Sequence, residues 1–462
     1  MAERSIYSPF DRRPVGTVPI HTESEAEAAI DAAARAFPVT RRLPAHERYR
    51  ILRAVHEGIA DRAEEFAQTI VAESGKTIRD ARAEVGRALL VLSLSADESR
   101  RQGGDLLPLD LNPASEGRVG LTRRFPIGPV AAITPFNFPL NLVAHKVGPA
   151  LAVGSPVVLK PAEKTPLTAL LLAEVVWAAG WPREAFAVLT PETPQAIGEM
   201  LATDERLPVF SFTGSDRVGW ELKAKANRKR VLLELGGNAG VIVEPDADPE
   251  YSVRQCVTGS FANAGQVCIS VQRIFLHQDI FSQWTDRFMS AVSEKVVGDP
   301  SDERTDIGPM IHEAAADTAE RHVRDAIYGG ATVLLRGKRL SPTLLTPTVL
   351  INVNPDLAVC REEIFAPIVV IEPYADYSEA LARVNDSRFG LQAGVFTHDV
   401  RKVFQAFETL QVGGVIANDV PQYRVDNMPY GGVRDSGVGR EGVRYAIEEI
   451  TEERLLVLHL RG

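Results

Sequence analysis

Leu233-Glu234-Leu235-Gly236-Gly237 and, further on, Asn263-Ala264-Gly265-Gln266-Val267-Cys268 are the two stretches on which the reading of this chain turns. They set a carboxylate and a thiol 34 residues apart, each close to glycine. A free thiol has a pKa of about 8.5, so a cysteine that attacks carbonyl carbon at neutral pH needs a base or a positive local potential. Glu234 is a candidate for that base. Buried cysteine usually serves as a small apolar side chain. Cys268, however, has Gly265, Gln266, Ser270 and Gln272 around it, which is too polar and too glycine-rich for an ordinary core strand. A nucleophile fits those neighbours.

Upstream of this pair, short apolar runs at 130–134, 156–160, 187–190 and 208–212 alternate with helical patterns at 167–179 and 194–202. Such alternation predicts an α/β fold with a parallel sheet covered by helices on both faces. The first hundred residues read mostly as helix. Thr22 and Glu25 form a capping box, and the alanine-rich run after them is expected to end where Pro38 follows Phe37. A second helical tract runs from Pro44 to Ser74-Gly75 with Ile51, Leu52, Val55, Ile59, Phe66 and Ile70 at helical spacing, and a third covers 77–101. Past Gly236 the alternation restarts, with helices near 252–264, 279–294 and 313–328 and strands near 273–277 and 367–371. A domain boundary is therefore expected near Gly236-Gly237.

The length of 462 residues exceeds one ordinary core and predicts two or three domains. With 51 Lys and Arg against 61 Asp and Glu, the net charge of −10 argues against nucleic-acid and anionic-membrane partners. Small molecules and copies of the chain itself remain. Cys256, Cys268 and Cys360 form neither a disulfide framework nor a metal-binding spacing, so no metal is expected and a reducing cytoplasm is. The start, Met1-Ala2-Glu3-Arg4-Ser5, lacks the basic and apolar regions of a signal peptide. The apolar stretch 128–159 is broken by Pro129, Pro135 and Pro139 and by Asn137, Asn141, His145 and Lys146, which rules it out as a membrane span.

Phe212-Thr213-Gly214-Ser215 precedes the two opening stretches and Glu362-Glu363-Ile364-Phe365-Ala366-Pro367 follows them. In this order the four motifs resemble the aldehyde dehydrogenase superfamily. The segments 428–432 and 434–437 look most like its lactaldehyde-dehydrogenase-like branch. The resemblance covers almost the whole chain and implies the aldehyde dehydrogenase fold. That means a Rossmann-like nucleotide-binding domain from 1–107 and 127–236, an α/β catalytic domain from 237–435, and a small oligomerisation element from 108–126 and 451–462. A return segment, 436–450, would pack on the nucleotide-binding domain. A homodimer or homotetramer is implied.

The same resemblance implies the chemistry. Cys268 attacks an aldehyde to give a thiohemiacetal, hydride leaves for a nicotinamide, and water activated by Glu234 hydrolyses the thioester. Asn137 and the backbone N–H of Cys268 would hold the oxyanion. Lys146 would help carry protons from Glu234, a solvated surface lysine being the alternative.

No G-x-G-x-x-G fingerprint follows a strand. In its place Gly214, Ser215, Val218 and Gly219 offer close backbone approach and a helix N-terminus for a pyrophosphate. The resemblance adds Thr134, Pro135, Phe136, Leu235 and Gly236 to the dinucleotide site. It assigns Lys160 and Glu163 to the adenine ribose, and Glu363 and Phe365 to the nicotinamide ribose and ring. Glu163 would repel a 2′-phosphate and favours NAD, although Lys160 or Lys164 could offset it and leave NADP possible. Ala366 and the segment 190–194 depart from the family pattern, which often has glycine there.

The implied substrate tunnel comprises Leu142, His145, Val267, Ile269, Arg424 and Tyr430. Arg424 stands where relatives acting on apolar aldehydes are often aromatic, so a short polar or anionic aldehyde is expected. Pairing of Arg424 with Asp426 or another local acid is the alternative. A CoA-acylating enzyme shares the fold, but Glu234 counts against it. A non-catalytic dehydrogenase-like module has no chemical need for Cys268, Glu234 and Asn137 at once. A cysteine hydrolase lacks a readable Cys/His/Asn arrangement.

Overall fold

Val130–Ile133, Val157–Lys160 and Val209–Thr213 are short and buried along their whole length, as the central strands of a parallel sheet must be. They form a six-stranded sheet in the order Gly437–Val438, Arg230–Glu234, Val209–Thr213, Val130–Ile133, Val157–Lys160, Phe186–Val188, parallel except for the first. The computed structural model describes residues 2–460, so Met1, Arg461 and Gly462, the ends of two expected segments, lie outside the described residues.

One face of this sheet carries α1 (Glu23–Thr40), α7 (Pro194–Thr203) and α8 (Asp216–Lys225), gathered around Ile30, Ile133 and Phe210. The other carries α2 (Ala45–Asp61), α3 (Ala63–Ser74), α4 (Ile78–Ser99), α5 (Asn141–Val153) and α6 (Leu167–Ala178), whose apolar faces make the largest core.

Two expectations about these helices are corrected. Pro38 does not stop α1, because in the last turn its missing N–H and its ring disturb a single upstream carbonyl. Thr40 then fastens the helix end by donating Oγ1 to the Gly154 carbonyl at 2.8 Å. The long tract from Pro44 to Ser74 is two helices, broken where Arg62 takes φ −111° and ψ 21°.

The chain leaves the first sheet at Glu234 and enters a second at Ala239. This seven-stranded sheet runs Thr332–Leu335, Thr348–Ile351, Ile368–Tyr374, Val271–His277, Ala239–Val243, Gln392–Phe396, Gly414–Ala417, with only its first pair antiparallel. A third sheet has Arg118–Pro126 at its centre, paired with Thr451–His459 on one side and Leu106–Pro108 on the other, so Leu106 and Leu107 belong to it as well. Among the described residues no helix is long and apolar enough to cross a membrane, and no cluster of His, Cys, Asp and Glu could hold a metal.

Candidate active site

The turn between the two sheets lies against the nucleophile loop. A Cβ at Gly237 would come within 2.4 Å of the Cys268 carbonyl oxygen, and one at Gly236 within 2.6 Å of Glu363 Oε2. Only glycine lets three segments meet so closely, which is why the Glu-Leu-Gly-Gly stretch reads as it does. Glu363 Oε1 accepts the Gly237 N–H at 3.1 Å. Burial raises the Glu363 carboxyl to about 8.

The loop that presents Cys268 leaves the helix Pro249–Phe261 through Asn263, Ala264 and Gly265, all with left-handed backbone. Gln266 staples it: Nε2 donates to the Asn263 and Pro309 carbonyls, and Oε1 accepts the Ile311 N–H. Gln272 does the same for the neighbouring loop, bridging the Glu362 carbonyl and the Ile364 N–H. The polar residues that made this stretch unlike a core strand are thus consumed in fixing loops. Asn137 is buried beside them and donates Nδ2 to the Gln266 carbonyl at 3.0 Å, while its Oδ1 has no partner.

The half-buried Cys268 thiol lies 3.0 Å from Tyr430 Oη. Burial pushes it up to about 11; Tyr430 and Arg424 pull it down, and Glu363 and Glu234 push it further up. Tyr430, not Glu234, is therefore the group at hydrogen-bond distance from the sulfur. Glu234 is buried, Oε2 has no partner, and its pKa is raised well above the carboxylate range by burial and by the Glu441 charge. Arg424, Lys146 and Arg440 oppose that rise.

A network that the sequence did not reveal surrounds this pair. Lys146, which is buried and not a surface lysine, donates Nζ to Ser211 Oγ at 2.9 Å and lies 3.3 Å from Glu441 Oε1. Arg424 donates Nη2 to Glu441 Oε2 at 3.0 Å and stacks over the Tyr430 ring at 3.7 Å. Its distance to Asp426 is 4.0 Å, so the expected pairing with an acid is made, with Glu441 in place of Asp426 as its nearer partner. Asp426 is held instead by Arg87 at 2.6 Å and by His145 Nε2 at 2.8 Å. His145 Nε2 also lies 3.1 Å from Arg424 Nη2. Burial works against the Glu441 charge, but Lys146 and Arg424 hold its carboxyl at about 2. Leu142 and Ile269 are buried, and Ile269 packs with Val267, Leu391 and Tyr430 beside Phe138 and Cys268.

The residues expected at a dinucleotide form a second cluster. Phe136 and Phe365 meet edge to face at 5.9 Å, and Thr134 Oγ1 is buried without a partner. Gly219 packs so tightly that a Cβ would reach 2.4 Å from Leu235 Cδ2, with Val218 beside it. Ser215 opens α8 without donating or accepting a side-chain cap, leaving first-turn N–H groups for a ligand. Lys160 Nζ is 2.6 Å from Glu163 Oε1. Burial would raise Glu163, yet Lys160 outweighs it and the carboxyl is lowered. Gly214 donates its N–H to the Glu234 carbonyl at 3.1 Å, tying the turn before α8 to the strand that carries Glu234, and Pro135 follows Thr134 in the neighbouring loop.

The chain is 46% identical over 455 residues to a 3-sulfolactaldehyde dehydrogenase of Priestia aryabhattai, covering 98% of this chain and 94% of that one. It is 37% identical to a lactaldehyde dehydrogenase of Methanococcus vannielii, over 98% of this chain and 97% of the other. The solved structure of aldehyde dehydrogenase 21 from Physcomitrella patens, in complex with the reaction product succinate, superposes with a TM-score of 0.97 at 42% identity, covering 100% and 96% of the two chains. The model of the aldehyde dehydrogenase family matches residues 2–456, and the chain belongs to that family.

Proposed function

We propose that this enzyme oxidises a short aldehyde bearing an anionic group to its carboxylate, with NAD as the preferred acceptor and NADP as a possible one. The observation that carries the substrate class is Arg424. Its guanidinium stacks on the same Tyr430 whose hydroxyl reaches the Cys268 sulfur. Among the described residues Arg87 pairs with Asp426, Lys146 and Arg424 share Glu441, and Arg440, beside Glu234, has no ion pair, while Glu234 is pushed toward its neutral form. The excess positive charge suits a carboxylate or sulfonate near the aldehyde. Sulfolactaldehyde and succinate, named for two of the relatives, carry such groups, while lactaldehyde, named for a third, is polar and neutral.

The cofactor residues fit a dinucleotide. The orphaned Thr134 hydroxyl, the uncapped N-terminus of α8, Lys160 with Glu163, and Glu363 would hold it. When bound it supplies the hydride acceptor that turns a thiohemiacetal into a thioester. In this reading Cys268 loses its proton to solvent and attacks the carbonyl carbon as the thiolate, and the oxygen gains a hydrogen bond from the second N–H of the Asn137 amide and from the Cys268 backbone. Glu234 takes a proton from water as that water attacks the thioester. Lys146 and Glu441 provide an ionised path away from Glu234. A reduced-nicotinamide absorbance assay with anionic and neutral short aldehydes, with and without CoA, tests this. CoA-independent turnover favouring the anionic aldehydes is expected, and Arg424→Ala should cut that preference about 10- to 100-fold. Equal preference in the two proteins removes Arg424 from substrate recognition, and strict dependence on CoA makes the enzyme acylating. A cytoplasmic homodimer or homotetramer belongs to the same reading, supported by the exposed third sheet.

A further inference from the structure

A cleft of about 600 Å³ lies between the end of α1, the start of α2, the end of α4 and the strand Arg118–Pro126. Its walls carry Arg41, Arg42, Arg48, Arg100, Arg123 and Arg124 and no acidic residue. In a chain with net charge −10 this grouping needs a physical reason. Two of the six are committed: Arg124 donates to Thr451 Oγ1 and to the Glu448 carbonyl, and Arg100 pairs with Asp97 and stacks on Tyr49. Among the described residues the other four have no ionic partner. Arg41 and Arg123 lie over the rings of Phe37 and Phe125, and exposed Arg42 touches no acceptor. Arg48 donates Nη1 to the Leu43 carbonyl, but its buried Nε has no partner.

Guanidinium groups gathered in a concavity repel one another, and a concavity focuses their field on whatever enters. The N-terminus of α2 adds to it. Pro44 provides no side-chain cap, and Pro44 and Ala45 are on the cleft wall, so the helix's positive end faces inward. The volume suits a metabolite. We propose that this cleft binds a small free polyanion with two or more phosphate, sulfonate or carboxylate groups, apart from the catalytic pocket.

The probe is inorganic pyrophosphate, titrated calorimetrically at low ionic strength into enzyme saturated with NAD, which keeps the probe out of the dinucleotide site. One site per chain is expected, weakening as salt is raised. Arg42→Ala with Arg123→Ala should raise Kd about tenfold or more. Arg42→Lys with Arg123→Lys should keep most of the binding. Both positions are exposed, so turnover without pyrophosphate should not change. No binding at low salt, or equal Kd in wild type and the alanine variant, overturns the proposal. So does a fall in oligomer mass in that variant with pyrophosphate binding intact, which would make the cleft a subunit contact.

Discussion

Cys268 and Glu234 are both held in their protonated forms by the protein around them, so the pH profile of turnover is the sharpest residue-level test. If Glu234 activates water, kcat rises with pH through its elevated pKa, because only the ionised carboxylate accepts a proton. Lys146 favours that ionised form. Lys146→Met should therefore move the rising limb of kcat to higher pH, whereas a merely structural lysine would lower kcat without moving the limb. Cys268→Ala should abolish oxidation and leave NAD binding, read by fluorescence titration, within about twofold of wild type. Glu163 stays ionised against its burial because Lys160 is beside it. Glu163→Gln should improve kcat/KM with NADP relative to NAD by about tenfold.

At the scale of elements, the loops that hold these residues depend on backbone space and on helix ends. Gly265 has φ +72°, and a Cβ there would come within 2.2 Å of the Ala366 carbonyl oxygen. Gly265→Ala should therefore displace the nucleophile loop, lowering kcat/KM by two orders of magnitude or about 2.7 kcal/mol, with a lowered Tm. Glu84, buried on α4, accepts the Leu140 and Asn141 N–H groups at the start of α5 and pairs with buried Lys76, whose ammonium lies over Phe138. Glu84→Ala strands that ammonium and should cost about 3–5 kcal/mol in urea unfolding. The alternation of short apolar runs with helical spacing made the parallel sheet legible, and the local motifs made Cys268, Glu234 and Glu363 legible. Glu84, Arg87 and Glu441 were not, because each acts on a partner tens to hundreds of residues away and nothing in its neighbours marks the pairing. The end of α1 departs from expectation for the opposite reason: proline is a local stop signal, and the last turn of a helix tolerates it.

At the scale of the whole molecule, the third sheet leaves an apolar surface uncovered. Leu455, Leu456, Val457 and Leu458 on the outer strand of the third sheet are 40–55% exposed, and that strand has one free edge. Exposed apolar edge strands invite pairing between chains. Leu456→Asp with Leu458→Asp should reduce the mass seen by light scattering to that of smaller assemblies. The distribution of the three thiols carries a last consequence. Burial pushes all three thiols up, so exposure and not ionisation sets them apart: Cys256 and Cys360 are buried, while Cys268 is half-buried at the pocket. The folded enzyme thus comes with its own single-point label: an alkylating dye added under native conditions attaches once per chain, at the reaction centre, without any cysteine having to be engineered out.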